Sequence, residues 1–445
     1  MKKLYFYIIV TSIYTILLFG CGKEASITPL PTYYSDIQNG MISDISSLPQ
    51  NLKYFAKKVS TKPLLTSSVH QEEVVKFKKI FFNVWNQHKA RFSKTAFTRT
   101  FGRARGYYNV SPWTKVQWDR LKFNSNISQY PNLQKRAIVV RQTPLRELPT
   151  LAPRYSKPTP NPAYAPFDYF QYSTLAPGLP LFVNHISRDK EWAFVENSTA
   201  SGWIQAKDIA YVSEEIIQKY QKSKFIALIR DRVMLGTYGY AYIGAIFPLV
   251  KKTSNTFQTY LPIRDVNGMA SLVEIDLSTL DAVLVPMPIT ANNIAKVGNV
   301  MMGQLYGWGG HNELRDCSAT MRDLFTPFGI YLPRNSKAQY NYATKFPMSG
   351  LSLESKKKTI GHYAKPFLSM IWMPGHIGLY LGQVQGQPVM FHNIWGIRVN
   401  EYGLGDDRHI IGRAVVTTLE PGKELDNLYD DQTILTRIGG FTTLP

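Results

Sequence analysis

Three residues in the last third of the chain are of the types a thiol hydrolase needs: Cys317, His376 and His392. The thiolate is the nucleophilic form of cysteine, and a base must take its proton. The segment Arg315-Asp-Cys-Ser-Ala-Thr-Met-Arg-Asp-Leu-Phe325 has apolar positions at Met321, Leu324 and Phe325 and is closed by Pro327. It reads as a short helix opening at Cys317. A sulfur at a helix start meets unpaired N–H groups and the positive end of the dipole, so the local sequence predicts a thiolate-prone cysteine. Gly307, Gly309 and Gly310 would let the backbone approach closely in front of it.

The histidines fall on predicted strands. Pro374-Gly-His-Ile-Gly-Leu-Tyr-Leu-Gly382 alternates so that His376, Gly378 and Tyr380 share one face. Pro388-Val-Met-Phe-His392 reads as the next strand, with residues 383–387 as the hairpin connection. His376 and His392 are symmetric about Val384, so an antiparallel pair centred there sets them opposite each other. One imidazole then serves the thiol while the other orients it. His311 and His362 lie on no such strand and read as loop histidines. No group of His, Cys and acidic residues has metal-ligand spacing, and neither a metal nor another cofactor is expected.

These elements need a large scaffold. A chain of 445 residues, 44% hydrophobic and 18% charged, supports two to four domains and excludes a disordered polymer. With only Cys21 and Cys317 it is not a disulfide-stapled scaffold. Residues 291–445 hold the chemistry. Residues 137–212 and 213–290 read as two small β units, with short apolar strands punctuated by Gly and Pro. Strands are expected at Ala137–Val140, Pro180–Asn184, Trp192–Val195 and Gly202–Ile204, with a turn-rich stretch from Pro144 to Pro166. A second set is expected at Phe225–Ile229, Ala245–Phe247, Tyr260–Ile263 and Ser271–Ile275. Trp192 and Trp203 read as core aromatics. Residues 51–136 read as a mainly helical module, with an apolar stripe at Val74, Phe77, Phe81, Phe82 and Trp85.

Charge narrows the partners. The formal net charge is +20, from 51 basic and 31 acidic residues. Residues 51–140 alone hold 18 Lys/Arg against 3 Asp/Glu. Such a surface suits an anionic polymer or lipid headgroups, or is the solvated face of a helical module. The N-terminus separates the anionic partners. Lys2 and Lys3 precede an apolar run from Leu4 to Phe19, short for a membrane span, and Leu18-Phe-Gly-Cys21 follows. Residues 1–20 read as an export signal and 21–50 as a polar tether. An exported chain has no access to nucleic acid, which drops from the list.

The Leu18–Cys21 segment resembles a bacterial lipobox, which implies cleavage before Cys21 and lipid on its sulfur. Gly22 in place of an inner-membrane retention aspartate implies the outer membrane in a diderm cell. The long excursion after the first strand, with the later "W.FV" and "GWI" runs, resembles bacterial SH3-like barrels. "YGWGG…RDCS", "LPRNSKAQ", "PGHIGLYLG" and "FHN" together resemble the NlpC family of papain-like cell-wall cysteine peptidases. The resemblance implies a multidomain α+β chain: a helical basic module, two SH3-like barrels and a papain-like catalytic domain. It implies cleavage of the γ-D-glutamyl–diamino acid bond of peptidoglycan stem peptides. Cys317 would be the nucleophile, His376 the base and His392 the orienting residue, with Tyr306, Asp316 and Ser318 as substrate contacts. Asp316 reads equally as the cap of the helix that Cys317 begins. Family members that require a free L-alanine amine carry an acid after the Pro-Arg pair. Asn335 stands there in this chain, which implies a relaxed requirement. A wall-binding lipoprotein without activity, or an acyl- or amidotransferase on the same fold, are the alternatives.

Overall fold

In a computed structural model the described residues are 41–99, 101, 105–159, 167–400 and 407–445. Cys21, the expected export signal and most of the expected tether lie outside them. Among the described residues no helix is long and apolar enough to cross a membrane.

The apolar stripe forms on helix α1 (Ser67–Phe82), which opens on Thr66, whose hydroxyl accepts the Val69 N–H. Spacings of three and four put Val74, Phe77 and Phe81 on one buried face, while Lys76 and Lys79 stay exposed. Phe77, Phe81, Phe82 and Trp85 share one core with Ile138 and Phe182 of the first barrel and Phe225 and Ile246 of the second. The Trp85 indole donates to the Ala137 carbonyl at 2.8 Å. Each buried aromatic of this wedge contributes about 1.5–3 kcal/mol of transfer free energy. Upstream, the short helix Leu52–Ala56 inserts Leu52 and Phe55 into the core of the last domain. The module therefore braces the other domains along its buried face and leaves its lysines outside.

The first β unit is a seven-stranded antiparallel sheet. Its order is Gln171–Leu175, Thr143–Arg146, Ser201–Gln205, Trp192–Glu196, Pro180–Ile186, Lys135–Val139, Ile209–Tyr211. The turn-rich stretch from Pro144 thus opens within a strand, Thr143–Arg146. Pro144 is accommodated because Thr143–Arg146 pairs for four residues with Gln171–Leu175 and meets Ser201–Gln205 only at Arg146. Trp192 and Trp203 are buried among Phe97, Tyr130 and Phe194. Helix α2 (Glu214–Lys222), capped by Ser213, opens the next segment. A five-stranded sheet follows, in the order Ala270–Ser278, Thr256–Arg264, Ile246–Lys252, Phe225–Leu228, Ala282–Val285, with Val233–Met234 and Tyr240–Ala241 paired separately.

The last domain packs α3 (Ala291–Met301) and α4 (Cys317–Phe325) on a six-stranded antiparallel sheet. The sheet order is Thr344–Pro347, Gly440–Thr443, β1 (Ser369–Met373), β2 (His376–Val384), β3 (Gln387–Val399), β4 (Asp407–Thr418). Ile377, Leu379 and Leu381 of β2 share a core with Met321, Leu324 and Phe325 of α4. His362 lies in the helix Leu353–Tyr363 rather than in a loop.

Candidate active site

Helix α4 starts at Cys317 because Asp316 caps it. The Asp316 backbone is extended and its carboxylate accepts the Ala319 N–H at 2.8 Å. That carboxylate is buried and fully engaged. Ser318 Oγ donates to it at 3.0 Å, Gly309 N–H at 3.1 Å, and Arg334 grips both oxygens at 3.0 and 2.7 Å. Burial alone would raise its pKa, but the Arg334 guanidinium outweighs burial and holds it below the ordinary carboxylate value. Arg334 reaches on to the first barrel, donating to Ser173 Oγ at 3.0 Å.

The Cys317 sulfur is buried against the turn that launches β2. Sγ lies 4.0 Å from the Gly375 carbonyl oxygen, and the Ile377 N–H donates to it. These two backbone groups flank His376. Burial pushes the thiol from 9.0 up to about 12, and the Asp316 charge adds to the rise. The expectation of a resting thiolate is therefore reversed. The helix start and the N–H donors favour the anion, but removal from water outweighs them. His376 is driven the other way, down to about 4, by burial and then by Arg437. At rest the thiol and the imidazole are thus both neutral.

The two imidazoles meet as expected, but by a different register. Nε2 of His376 lies 2.8 Å from Nδ1 of His392. The hairpin turns through Gln385 and Gly386, both at positive φ, and Val384 pairs with Gln387. A register shift between Tyr380 and Gly382 then sets Leu379 opposite Phe391. His392 consequently faces Gly378, not His376, and the rings join on the diagonal. His392 is wholly buried, and burial followed by the neighbouring His376 lowers its pKa well below the ordinary value. Its other nitrogen, Nε2, lies 3.0 Å from Thr417 Oγ1 on β4.

Tyr306 lies close to Cys317 and Asp316, and burial foremost, followed by the charge the sulfur takes only at high pH, raises its phenol pKa. Its ring packs with Trp395 and with Phe167 from the first barrel. The glycines serve a purpose other than the predicted one. Gly309 and Gly310 have φ of 61° and 84°, and a Cβ on either would lie 2.3 Å from Gln171 O or Thr174 Oγ1. They let the first barrel dock: Gln171 Nε2 donates to Gly309 O at 3.2 Å, and Thr174 Oγ1 to Gly310 O at 2.7 Å. Asn335 is exposed and caps α5 (Ser336–Tyr340), accepting the Ala338 N–H at 2.8 Å. Among the described residues no group of three or more His, Cys, Asp or Glu is placed to hold a metal ion.

Sequence reasoning did not find Arg334, Thr417 or the clamp on Arg315. Arg315 is gripped by Asp231 of the second barrel through two bonds of 2.8 Å and by Asp323 at 2.7 Å. No local pattern marks these partners, because the Arg315–Asp231 and Arg334–Asp316 pairs join separate elements. The one available signal was the position of Arg315 and Arg334 beside motif residues.

Comparison with known proteins agrees with this architecture. Residues 303–402 match the NlpC/P60 family, and residues 10–130 match the N-terminal NlpC/P60 stabilising domain. Residues 153–205 match an SH3 domain of the SH3b1 type, and residues 213–254 one of the SH3b2 type. No curated protein matches the chain. Among solved structures, an NlpC/P60 endopeptidase from Photobacterium damselae subsp. piscicida is 24% identical. That match covers 89% of this chain and 97% of that one, with a TM-score of 0.79. An NlpC/P60 family protein from Bacillus cereus is 14% identical over 70% of this chain and all of its own, with a TM-score of 0.46. Along the sequence the chain thus carries, in series, a match to the N-terminal NlpC/P60 stabilising domain, to two bacterial SH3 domains and to the NlpC/P60 peptidase domain.

Proposed function

We propose that this peptidase cleaves the bond between the γ-carboxyl of D-glutamate and the diamino acid of peptidoglycan stem peptides. The observation that carries the reading is a helix-start cysteine packed on the backbone that carries a histidine bonded to a second histidine. The sulfur lies against the backbone on both sides of His376, whose ring is 2.8 Å from His392. Cys317 attacks the γ-glutamyl carbonyl as its proton passes to His376, and N–H groups at the start of α4 receive the oxyanion. His376 then protonates the leaving amine, and the acyl-enzyme forms. The same imidazole activates water to release the glutamyl product. Because thiol and imidazole are both neutral at rest, the ion pair forms only as substrate binds and attack begins. The first barrel, through Phe167 and Ser173, adjoins Tyr306 and Arg334 and bounds the substrate's approach.

The reading includes an exported chain anchored by lipid on Cys21 to the outside of a membrane, the outer one in a diderm cell. Diacylglyceryl-cysteine at the mature N-terminus, detected by mass spectrometry, supports it; an unmodified Met1 start refutes it. Digestion of purified muropeptides with product masses tests the chemistry. New termini at D-glutamate and the diamino acid support it, and binding without any new product overturns it.

A further inference from the structure

The protonation pattern of the two histidines is set from outside the pair. Thr417 is completely buried on β4, and its hydroxyl donates to the Thr418 carbonyl at 2.7 Å. A hydroxyl has a single hydrogen, so toward His392 Nε2, 3.0 Å away, Thr417 Oγ1 can only accept. Nε2 of His392 therefore carries the proton. A neutral ring protonated at Nε2 is bare at Nδ1, so His392 Nδ1 accepts across the 2.8 Å contact and His376 Nε2 is the donor. A neutral His376 protonated at Nε2 is bare at Nδ1. That nitrogen is the one left to receive a thiol proton.

We propose that Thr417 is a positioning residue: by accepting from His392 Nε2–H, it holds His376 in the tautomer that can take the proton of Cys317. This rests on the reading of Cys317, His376 and His392 as the reacting set. Without the hydroxyl, His392 loses the acceptor for its Nε2 proton. The proton is then free to occupy Nδ1, and His376 must turn its bare nitrogen toward His392. In that arrangement His376 presents an N–H, not a lone pair, to the sulfur.

The test uses the full-length enzyme, with purified stem-peptide muropeptides as substrate and nitrogen-15 NMR of the histidine rings. Wild type should show His376 protonated at Nε2 and bare at Nδ1. Thr417→Val, of nearly the same shape, should lower kcat by roughly 10- to 100-fold with KM changed less than about threefold, and should show His376 partly protonated at Nδ1. Thr417→Ser should keep the wild-type ring pattern and stay within about threefold of wild-type kcat. A folded Thr417→Val with wild-type kcat overturns the proposal, as does Thr417→Ser impaired as deeply as Thr417→Val. Should Thr417→Val not fold, the wild-type spectrum still decides: His376 protonated at Nδ1 overturns the proposal. If Cys317→Ala retains hydrolysis, the underlying reading of the site fails. If Cys317→Ala is inactive and Thr417→Val is unimpaired, only the role of Thr417 fails.

Discussion

His392 stands beside Gly378, and a Cβ built on that glycine would lie 2.7 Å from the Cβ of His392. The same Cβ would lie 2.2 Å from Met390 Cε and 2.9 Å from the Phe391 carbonyl. The missing side chain leaves room for the rings of His376 and His392 to meet on the diagonal. Gly378→Ala should therefore separate the rings or push β3 away. We expect a loss of about 1–3 kcal/mol of stability, as for other overpacked cores, together with loss of most hydrolysis. Urea unfolding and muropeptide turnover check it; a fully active Gly378→Ala would show that the diagonal contact is not needed.

Truncating the reacting groups separates roles. Cys317→Ala and Cys317→Ser should abolish hydrolysis while the fold persists. His376→Ala should be about as damaging, because the members act as a unit. His392→Ala should leave more residual rate, since that ring orients the base. Single-turnover assays on purified muropeptides measure all four, and wild-type turnover in either Cys317 variant removes the sulfur from the mechanism.

Burial of the thiol and imidazole has a pH signature. Free Cys317 should alkylate with iodoacetamide more slowly than a small thiol at pH 7.5, and its rate should still be rising above pH 9. Stability should respond in the acid range. The His376 pKa falls from 6.5 in a solvated chain to about 4 in the fold. Between these values the unfolded chain binds a proton that the folded one refuses. Stability is thus fully present above pH 6.5 and declines as pH falls toward 4. His376 alone contributes about 3 kcal/mol to that decline, and the depressed His392 and His185 act in the same direction. Urea midpoints that stay level from pH 7.5 to pH 4.5 would contradict this.

The sequence made local features legible and long-range ones not. The helix opening at Cys317, the alternation of β2 and the stripe on α1 each follow from the period of neighbouring residues. The meeting of His376 and His392 was anticipated, yet from a hairpin centre at Val384. The actual turn at Gln385-Gly386 moves the pairing by three residues and the shift after Tyr380 returns one, leaving an offset of two that the rings span on the diagonal. The protonation of Cys317 was misjudged because a helix start is visible locally, whereas burial under β2 and the fixed Asp316 charge are not. Gly309 and Gly310 were correctly seen as sites of close approach, but the approaching group is the first barrel.

The clamp between domains should matter for stability. Arg315 and Asp231 are both largely buried, and Asp231 also accepts the Ile243 N–H at 2.9 Å. Asp231→Ala leaves Arg315 with Asp323 as its remaining carboxylate, beside the neutral oxygens of Gln304 and Ile243, and orphans that N–H. The expected cost is about 3 kcal/mol, at the lower end for breaking a buried ion pair because one carboxylate remains. Guanidinium unfolding reads it, and a change under about 0.5 kcal/mol would show that the second barrel is held elsewhere.

Asn335 offers the sharpest test of substrate choice. Its Oδ1 accepts the Ala338 N–H and so fixes the start of α5, which also carries Gln339 back to the Ser318 carbonyl at 2.8 Å. Aspartate caps as well as asparagine, so Asn335→Asp should leave α5 and the fold intact. One carboxylate oxygen would keep the cap and the other would add a negative charge at an exposed position. A charge-assisted bond to an ammonium is roughly twice as strong as a neutral one. Wild type should therefore discriminate little between free stem peptides and those still joined to muramic acid, and Asn335→Asp should shift preference toward the free peptide. The comparison is kcat/KM on both substrates for both proteins. If wild type already rejects sugar-linked stems as fully as the variant, residue 335 is not the gate, and Phe167 and Ser173 of the first barrel become the groups to alter.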